Sequence, residues 1–183
     1  MRPPCASLLV MAACAQPAPC PIAGDLAQPP SLTVTQRLPD GGAEDVRGTL
    51  YLQVPAQGGH VVFVGVRVQN LEACGLELSA ALVDPMTNRL ETEERRRVDL
   101  GPGFMSDPAD TANFANVPAC PNFGTRDIAG PQWNLAVEAK QRDGRAATAT
   151  LPVVLSCETG GEDCACECAA GYVLGKCGRR DGG

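Results

Sequence analysis

Apolar residues recur at every second position in several runs between residues 32 and 157. These runs are Leu32 and Val34; Leu50, Leu52 and Val54; Val62, Val64, Val66 and Val68; Leu76, Leu78, Ala80 and Leu82; Trp133, Leu135, Val137 and Ala139; and Leu151, Val153 and Leu155. A period of two places alternate side chains on opposite faces of an extended chain, so each run predicts a β-strand with one buried face. The charged segment from Glu91 to Leu100 continues the same alternation and predicts another strand.

Turn residues separate these runs. They are Asp40-Gly41-Gly42, Gln57-Gly58-Gly59, Asp84-Pro85 followed by Asn88, and Asp143-Gly144. Asp-Gly between alternating segments is typical of a β-hairpin, and no segment has the pattern of an amphipathic helix. The sequence therefore predicts an all-β, antiparallel β-sandwich of about seven strands, the last of which contains Pro152 and is expected at a sheet edge. This architecture resembles the immunoglobulin-like fold, and the resemblance implies no activity.

Residues 101–131 interrupt the alternation with Gly, Pro, Asn and Asp. A loop of this length is uncommon inside a compact domain, so the segment either contains a short element or has a function. Phe104, Phe114 and Phe123 lie within it. We expect these aromatic residues either to pack onto the sandwich, with Cys120 fixing the segment, or to form a loop that contacts a partner.

The first residues have the pattern of a secretory signal peptide. Arg2 precedes a short apolar run, Cys5 to Ala13, and a Pro-rich stretch follows. The run is too short to span a bilayer, and no other stretch reaches the length of a transmembrane helix. We predict a signal peptide at residues 1–13 and a Pro-rich tether, flexible or polyproline-like, at residues 14–31.

Met11-Ala12-Ala13-Cys14 resembles the lipobox of bacterial lipoproteins. In that family the cysteine after two small residues becomes the lipid-modified first residue of the mature chain. The resemblance implies that Cys14 carries a lipid of the palmitate type and anchors the protein to a membrane of the cell envelope. Cleavage for ordinary secretion, at the small residues Ala13 and Ala15, is the alternative.

Composition limits the classes of partner. The chain has 183 residues, a formal charge of −6, and only 4% aromatic residues. Its length fits one domain with flanking segments, which we place at residues 32–157 for the sandwich and 158–183 for a small Cys-rich tail. Because the net charge is negative, no global positive field attracts nucleic acid, and we expect no nucleic-acid partner.

Eight cysteines remain after Cys5 and Cys14 are assigned to the signal and the lipid. They are Cys20, Cys74, Cys120, Cys157, Cys164, Cys166, Cys168 and Cys177. An even number in an exported chain predicts disulfides. We expect two bridges in the body and two in the tail, with Cys74–Cys120 and Cys20–Cys157 as the body pairs. The alternative is an extracytoplasmic metal-thiolate tail using the Cys-x-Cys-x-Cys run, although no metal site is assigned.

No catalytic motif is present. The sequence lacks a Gly-x-Ser-x-Gly elbow, a phosphate-binding glycine loop and a His-Glu-x-x-His pair. Its single histidine, His60, follows Gly58-Gly59 and is expected to be a solvated turn residue. We therefore predict a non-catalytic envelope lipoprotein without a cofactor, acting as a binding or structural module toward an unknown envelope protein. The alternative is a secreted inhibitor or accessory protein that uses residues 101–131.

Overall fold

The computed structural model describes residues 19–177, in which eleven β-strands and one short α-helix form. The strands are β1 (Ile22–Ala23), β2 (Ser31–Arg37), β3 (Ala43–Asp45), β4 (Thr49–Tyr51), β5 (His60–Gln69), β6 (Leu71–Glu72), β7 (Leu76–Val83), β8 (Leu90–Val98), β9 (Ala115–Cys120), β10 (Gln132–Lys140) and β11 (Ala146–Ser156). The helix, α1, is Cys164–Glu167, and short 3₁₀ turns lie at Pro102–Phe104 and Thr111–Asn113. The prediction of an all-β protein is confirmed.

Two larger sheets share one hydrophobic core. One has the strand order β4-β11-β10-β7-β8 and the other β3-β2-β5-β9, while β1 and β6 form a two-stranded ribbon. The pairings within these sheets are antiparallel apart from the short parallel contact between β11 and β4. The layers have the form of a β-sandwich, and the immunoglobulin-like connection order stays a prediction. β11 is only partly an edge strand, because β4 covers Val154 to Ser156 and leaves Pro152 outside that pairing.

In the central strands, buried and partly exposed residues alternate as predicted. Along β7, Leu76, Leu78, Ala80 and Leu82 are buried while the residues between them are partly exposed. β5 differs because its first seven residues are all buried. Its second face is covered as well, by a small cluster in which Val61 and Phe63 pack against Phe114.

Residues 101–131 are not one long loop. They contain β9, which pairs with β5 and ends at Cys120, and the two 3₁₀ turns. The sequence hides β9 because Pro118 interrupts it, and Pro cannot donate a ladder hydrogen bond. A position on the edge of the four-stranded sheet tolerates this residue, and β9 occupies that edge. The short element that the sequence left open for residues 101–131 is therefore the strand β9.

The described part of the predicted tether is attached to the body, and this corrects the prediction of a flexible segment. Cys20 forms a disulfide with Cys74, and Ile22 and Ala23 pair with Glu72 and Leu71. The signal peptide and Cys14 lie outside the described residues. Within residues 19–177 no helix is long and apolar enough to cross a membrane.

A charged contact fixes the β7–β8 turn to the 121–131 segment. Asp84 accepts hydrogen bonds from the backbone N–H groups of Met86 and Thr87, and its Oδ2 lies 2.8 Å from Arg126 Nη1. The Arg126 guanidinium in turn lies 4.3 Å from the centre of the Trp133 ring, a cation–π contact. The Met86 N–H first, and then the Arg126 and Thr87 contacts, hold the pKa of Asp84 below its ordinary value.

The lowered pKa of Asp84 predicts that part of the free energy of unfolding is lost in acid. A group whose pKa is lower in the folded state stabilises the fold above its unfolded pKa, and that contribution disappears as the pH falls through the folded pKa. Asp84→Asn should therefore be less stable than the wild type at pH 7 and lose less stability between pH 7 and pH 3. Urea unfolding at both pH values measures this difference, with Asp143→Asn in another turn as the charge-matched control. If Asp84→Asn lost as much stability as the wild type between pH 7 and pH 3, this prediction would be contradicted.

Candidate functional site: two disulfides around a buried histidine

Four distant parts of the chain meet at one end of the sandwich. β5 begins at His60, which is opposite Cys120 at the end of β9. Cys157 follows β11 directly, and α1 begins at Cys164. We call the cluster of His60, Cys120, Cys157, Cys164 and Cys168 the sulfur–histidine cluster.

All eight predicted cysteines are in disulfides, which supports the expectation of disulfide bonding. The pairs are Cys20–Cys74, Cys120–Cys168, Cys157–Cys164 and Cys166–Cys177. The expected body pairs Cys74–Cys120 and Cys20–Cys157 are wrong, and so is the division into separate body and tail sets. Two disulfides join the tail to the body because α1 packs against the strand ends that carry Cys120 and Cys157.

His60 is buried, which corrects its prediction as a solvated turn residue. Its ring is 4% exposed and Nε2 lies 2.7 Å from the carbonyl oxygen of Gly160. On the other side Nδ1 lies 3.0 Å from Glu167 Oε2, an ion-pair distance without the alignment of a hydrogen bond. Since Nε2 faces a carbonyl oxygen, it carries a proton and donates. The histidine therefore joins β5 to both ends of the segment that contains α1.

The two disulfides of this cluster contact each other. Cys164 Sγ lies 3.8 Å from Cys168 Sγ, although these sulfurs belong to different disulfides. Both cysteines are almost completely buried, and their sulfurs and a His60 nitrogen lie within 4.8 Å of one another. This donor set could hold a soft metal only after reduction, because the thiolate is the metal-binding form of cysteine. In the oxidised chain each described cysteine sulfur is already bonded to another.

Two open clefts border the cluster. A cleft of about 430 Å³ is lined by Cys157, Ala165, Cys168 and neighbouring residues of β11. A second cleft, of about 500 Å³, is lined by His60, Cys120 and the turn before β5. Members of the cluster therefore line both clefts, Cys157 and Cys168 the first and His60 and Cys120 the second.

Hydrogen bonds hold the tail on the segment after β9. The buried Asn122 donates through Nδ2 to the carbonyl oxygens of Arg126 and Cys168, and its backbone N–H donates to Glu167. Ile128 N–H donates to the Cys168 carbonyl at 3.0 Å. These bonds satisfy the last carbonyl groups of α1, and they explain why so short a helix is fixed in place.

The three predicted partner residues have different surroundings. Phe114 is fully buried, and Phe104 is partly buried against the main core, where it also lines a surface cleft with Gly103 and Arg67. Phe123 is 68% exposed and contacts Tyr172 with ring centres 5.8 Å apart. Of these three residues, Phe123 is therefore the one most available to a partner.

Gly160 is a residue of the site that the sequence did not indicate. A Cβ at this position would lie 2.5 Å from Cys164 Sγ, closer than atoms pack, and 3.2 Å from His60 Cδ2, which is a tight contact. We expect Gly160→Ala to lower the free energy of unfolding by about 1–3 kcal/mol, as other overpacking substitutions do. Urea unfolding without reductant measures the effect.

The matched control for this substitution is Gly42→Ala. Its Cβ would approach Asp40 Oδ1 to 3.2 Å, and that exposed side chain can move. Equal stability of Gly160→Ala and the wild type would show that the turn at Gly160 is not packed against the cluster as described.

Comparison with known proteins identifies no relative: no family model, no curated protein and no solved structure matches the chain.

Proposed function

We propose that the protein is an exported, lipid-anchored module of a bacterial cell envelope that binds or supports another envelope protein without catalysis. The observation that carries this proposal is the disulfide pattern. All cysteines in residues 19–177 are paired, and two of the four bridges join the tail to the sandwich. Such dense bonding is typical of domains that fold outside the reducing cytoplasm.

The predicted anchor fits the position of the first disulfide. Cys20 is joined to Cys74, so the chain is fixed to the body only a few residues after Cys14. A lipid on Cys14 would hold the sandwich close to the membrane surface. The formal charge of −6 disfavours contact of the domain itself with anionic headgroups. We infer that the lipid, rather than a basic surface, provides membrane attachment.

The surface that favours a protein partner surrounds Phe123. Its exposed ring contacts the partly buried Tyr172 beside a cleft of about 300 Å³, lined by Pro118, Pro121 and Ile128 among others. Aromatic residues are enriched where interfaces contribute most to affinity. This pair also supports the second candidate, a secreted accessory protein that uses the same surface without an anchor.

Replacement of Cys14 separates the two candidates. The full chain, with its own first residues, is expressed in a bacterial host with a lipoprotein-processing pathway, and membranes are separated from soluble fractions. The anchored form should sediment with membranes, while Cys14→Ser should become soluble. Cys5→Ser, a change in the predicted signal peptide, is the matched control and should remain with the membranes. Soluble wild-type protein would overturn the anchor and favour the secreted candidate.

A further inference from the structure

The contact between two disulfides provides the geometry for thiol–disulfide exchange. Cys164 Sγ and Cys168 Sγ are 3.8 Å apart, which is close to van der Waals contact for two sulfur atoms. Exchange requires a thiolate to reach a disulfide sulfur, and a pre-positioned attacking atom removes much of the entropic barrier. A thiolate formed at Cys164 would therefore start next to its target.

We propose that the sulfur–histidine cluster is a disulfide relay. It accepts two electrons from a partner dithiol that attacks Cys157, and it releases a thiol at Cys120. The partner is a small dithiol or the dithiol site of a protein reductant. This activity goes beyond the proposed binding function and does not depend on the lipid anchor.

The first step takes place at Cys157. This residue is partly exposed and lines the 430 Å³ cleft, whereas Cys164 is fully buried. A thiolate of the dithiol attacks Cys157 Sγ, the bond to Cys164 breaks, and Cys164 leaves as a thiolate with the electron pair. The second thiol of the partner then attacks the mixed disulfide, which closes the oxidised partner and frees Cys157 as a thiol.

The second step is internal. The Cys164 thiolate attacks Cys168 Sγ, a Cys164–Cys168 bond forms, and Cys120 leaves as a thiolate that takes up a proton. Cysteines four positions apart on one helical turn have Cα atoms about 6.2 Å apart, within the range that a disulfide spans. The Cys168 N–H donates to the Cys164 carbonyl at 2.9 Å, so this turn is already formed. The net result is an oxidised partner, a Cys164–Cys168 disulfide, and free thiols at Cys157 and Cys120.

His60 is a positioning residue in this scheme. It lies beside the two exchanging sulfurs and contacts Gly160, which precedes Cys164, and Glu167, which directly precedes Cys168. The thiol released at Cys120 then lines the 500 Å³ cleft, whereas Cys157 lines the 430 Å³ cleft. Together the two steps open both Cys157–Cys164 and Cys120–Cys168, so the tail loses both of its disulfide links to the sandwich.

Disulfide mapping after partial reduction tests the relay. The oxidised full chain is treated with one equivalent of dithiothreitol, quenched in acid, alkylated with N-ethylmaleimide and digested. Cleavage after Glu158, Glu162 and Glu167 separates Cys157, Cys164 and Cys168 into different peptides. In molecules alkylated at Cys157, we expect alkylation at Cys120 and a Cys164–Cys168 bond.

The contrary result is alkylation of Cys157 together with Cys164 while Cys120–Cys168 stays intact, and it would overturn the proposal. The same digest contains an internal control in Cys20–Cys74, whose two sulfurs should be alkylated together because that pair lies apart from the cluster. His60→Gln should slow the appearance of the Cys164–Cys168 bond without slowing reduction at Cys157. An unchanged rate would remove His60 from the relay.

Discussion

Replacing both Cys120 and Cys168 by alanine is expected to lower the free energy of unfolding by about 4 kcal/mol. This disulfide joins residues 48 positions apart and is buried at both ends, with exposures of 6% and 1%. Its loss raises the conformational entropy of the unfolded chain, because residues 120–168 are no longer closed into a loop. It also removes the covalent link between β9 and α1. Guanidinium unfolding without reductant measures the change.

The matched control is Cys166→Ala/Cys177→Ala. That bridge closes a separation of only 11 residues, and Cys166 is exposed. Because the entropy gained by the unfolded state increases with loop length, this pair should cost about 3 kcal/mol and leave the sandwich folded. An unfolding midpoint for Cys120→Ala/Cys168→Ala equal to that of the wild type would contradict the covalent connection of tail and body.

Trp133→Ala is expected to destabilise the protein by about 3–5 kcal/mol, the usual cost of emptying a large aromatic site in a core. Trp133 is fully buried on β10 and its Nε1 donates to the Ile128 carbonyl at 3.0 Å. The substitution removes packing from the sandwich and leaves that carbonyl without its donor. Thermal and urea unfolding followed by circular dichroism measure the loss.

Two further substitutions separate packing from simple loss of an aromatic ring. Trp133→Phe keeps most of the apolar volume and loses the hydrogen bond, so its cost should be smaller than that of alanine. Phe123→Ala removes an exposed ring and should change stability by no more than about 0.5 kcal/mol. A cost for Phe123→Ala as large as that for Trp133→Ala would contradict the placement of Trp133 in the core and of Phe123 on the surface.

The strands with a regular period of two could be predicted from the sequence. β7 and β10 alternate between core and surface over their whole length, and the hydrophobic effect places such a pattern on one face of a sheet. β9 could not be predicted, because Pro118 breaks its alternation and only its pairing with β5 defines it. The local pattern therefore identifies strands that bury one face, and misses an edge strand fixed by its neighbour.

The candidate site was only partly visible in the sequence. The parity of the cysteines predicted disulfides, whereas their partners depend on where α1 packs, and no local signal reports that. His60 and Gly160 are 100 residues apart, so the contact between them has no signature in either segment. The predicted tether shows the same limitation, since Cys20 is fixed by a cysteine 54 residues away.

We propose that the mature protein is an anchored module, and its described cysteines form four disulfides. The most direct test is the intact mass of the protein isolated from its native host, measured with alkylation before and after reduction. We expect a chain that begins at a lipid-modified Cys14, takes up no alkyl group before reduction, and takes up eight afterwards, two for each of the four bridges. A chain without lipid that is alkylated before reduction would contradict both the lipid anchor and the four disulfides.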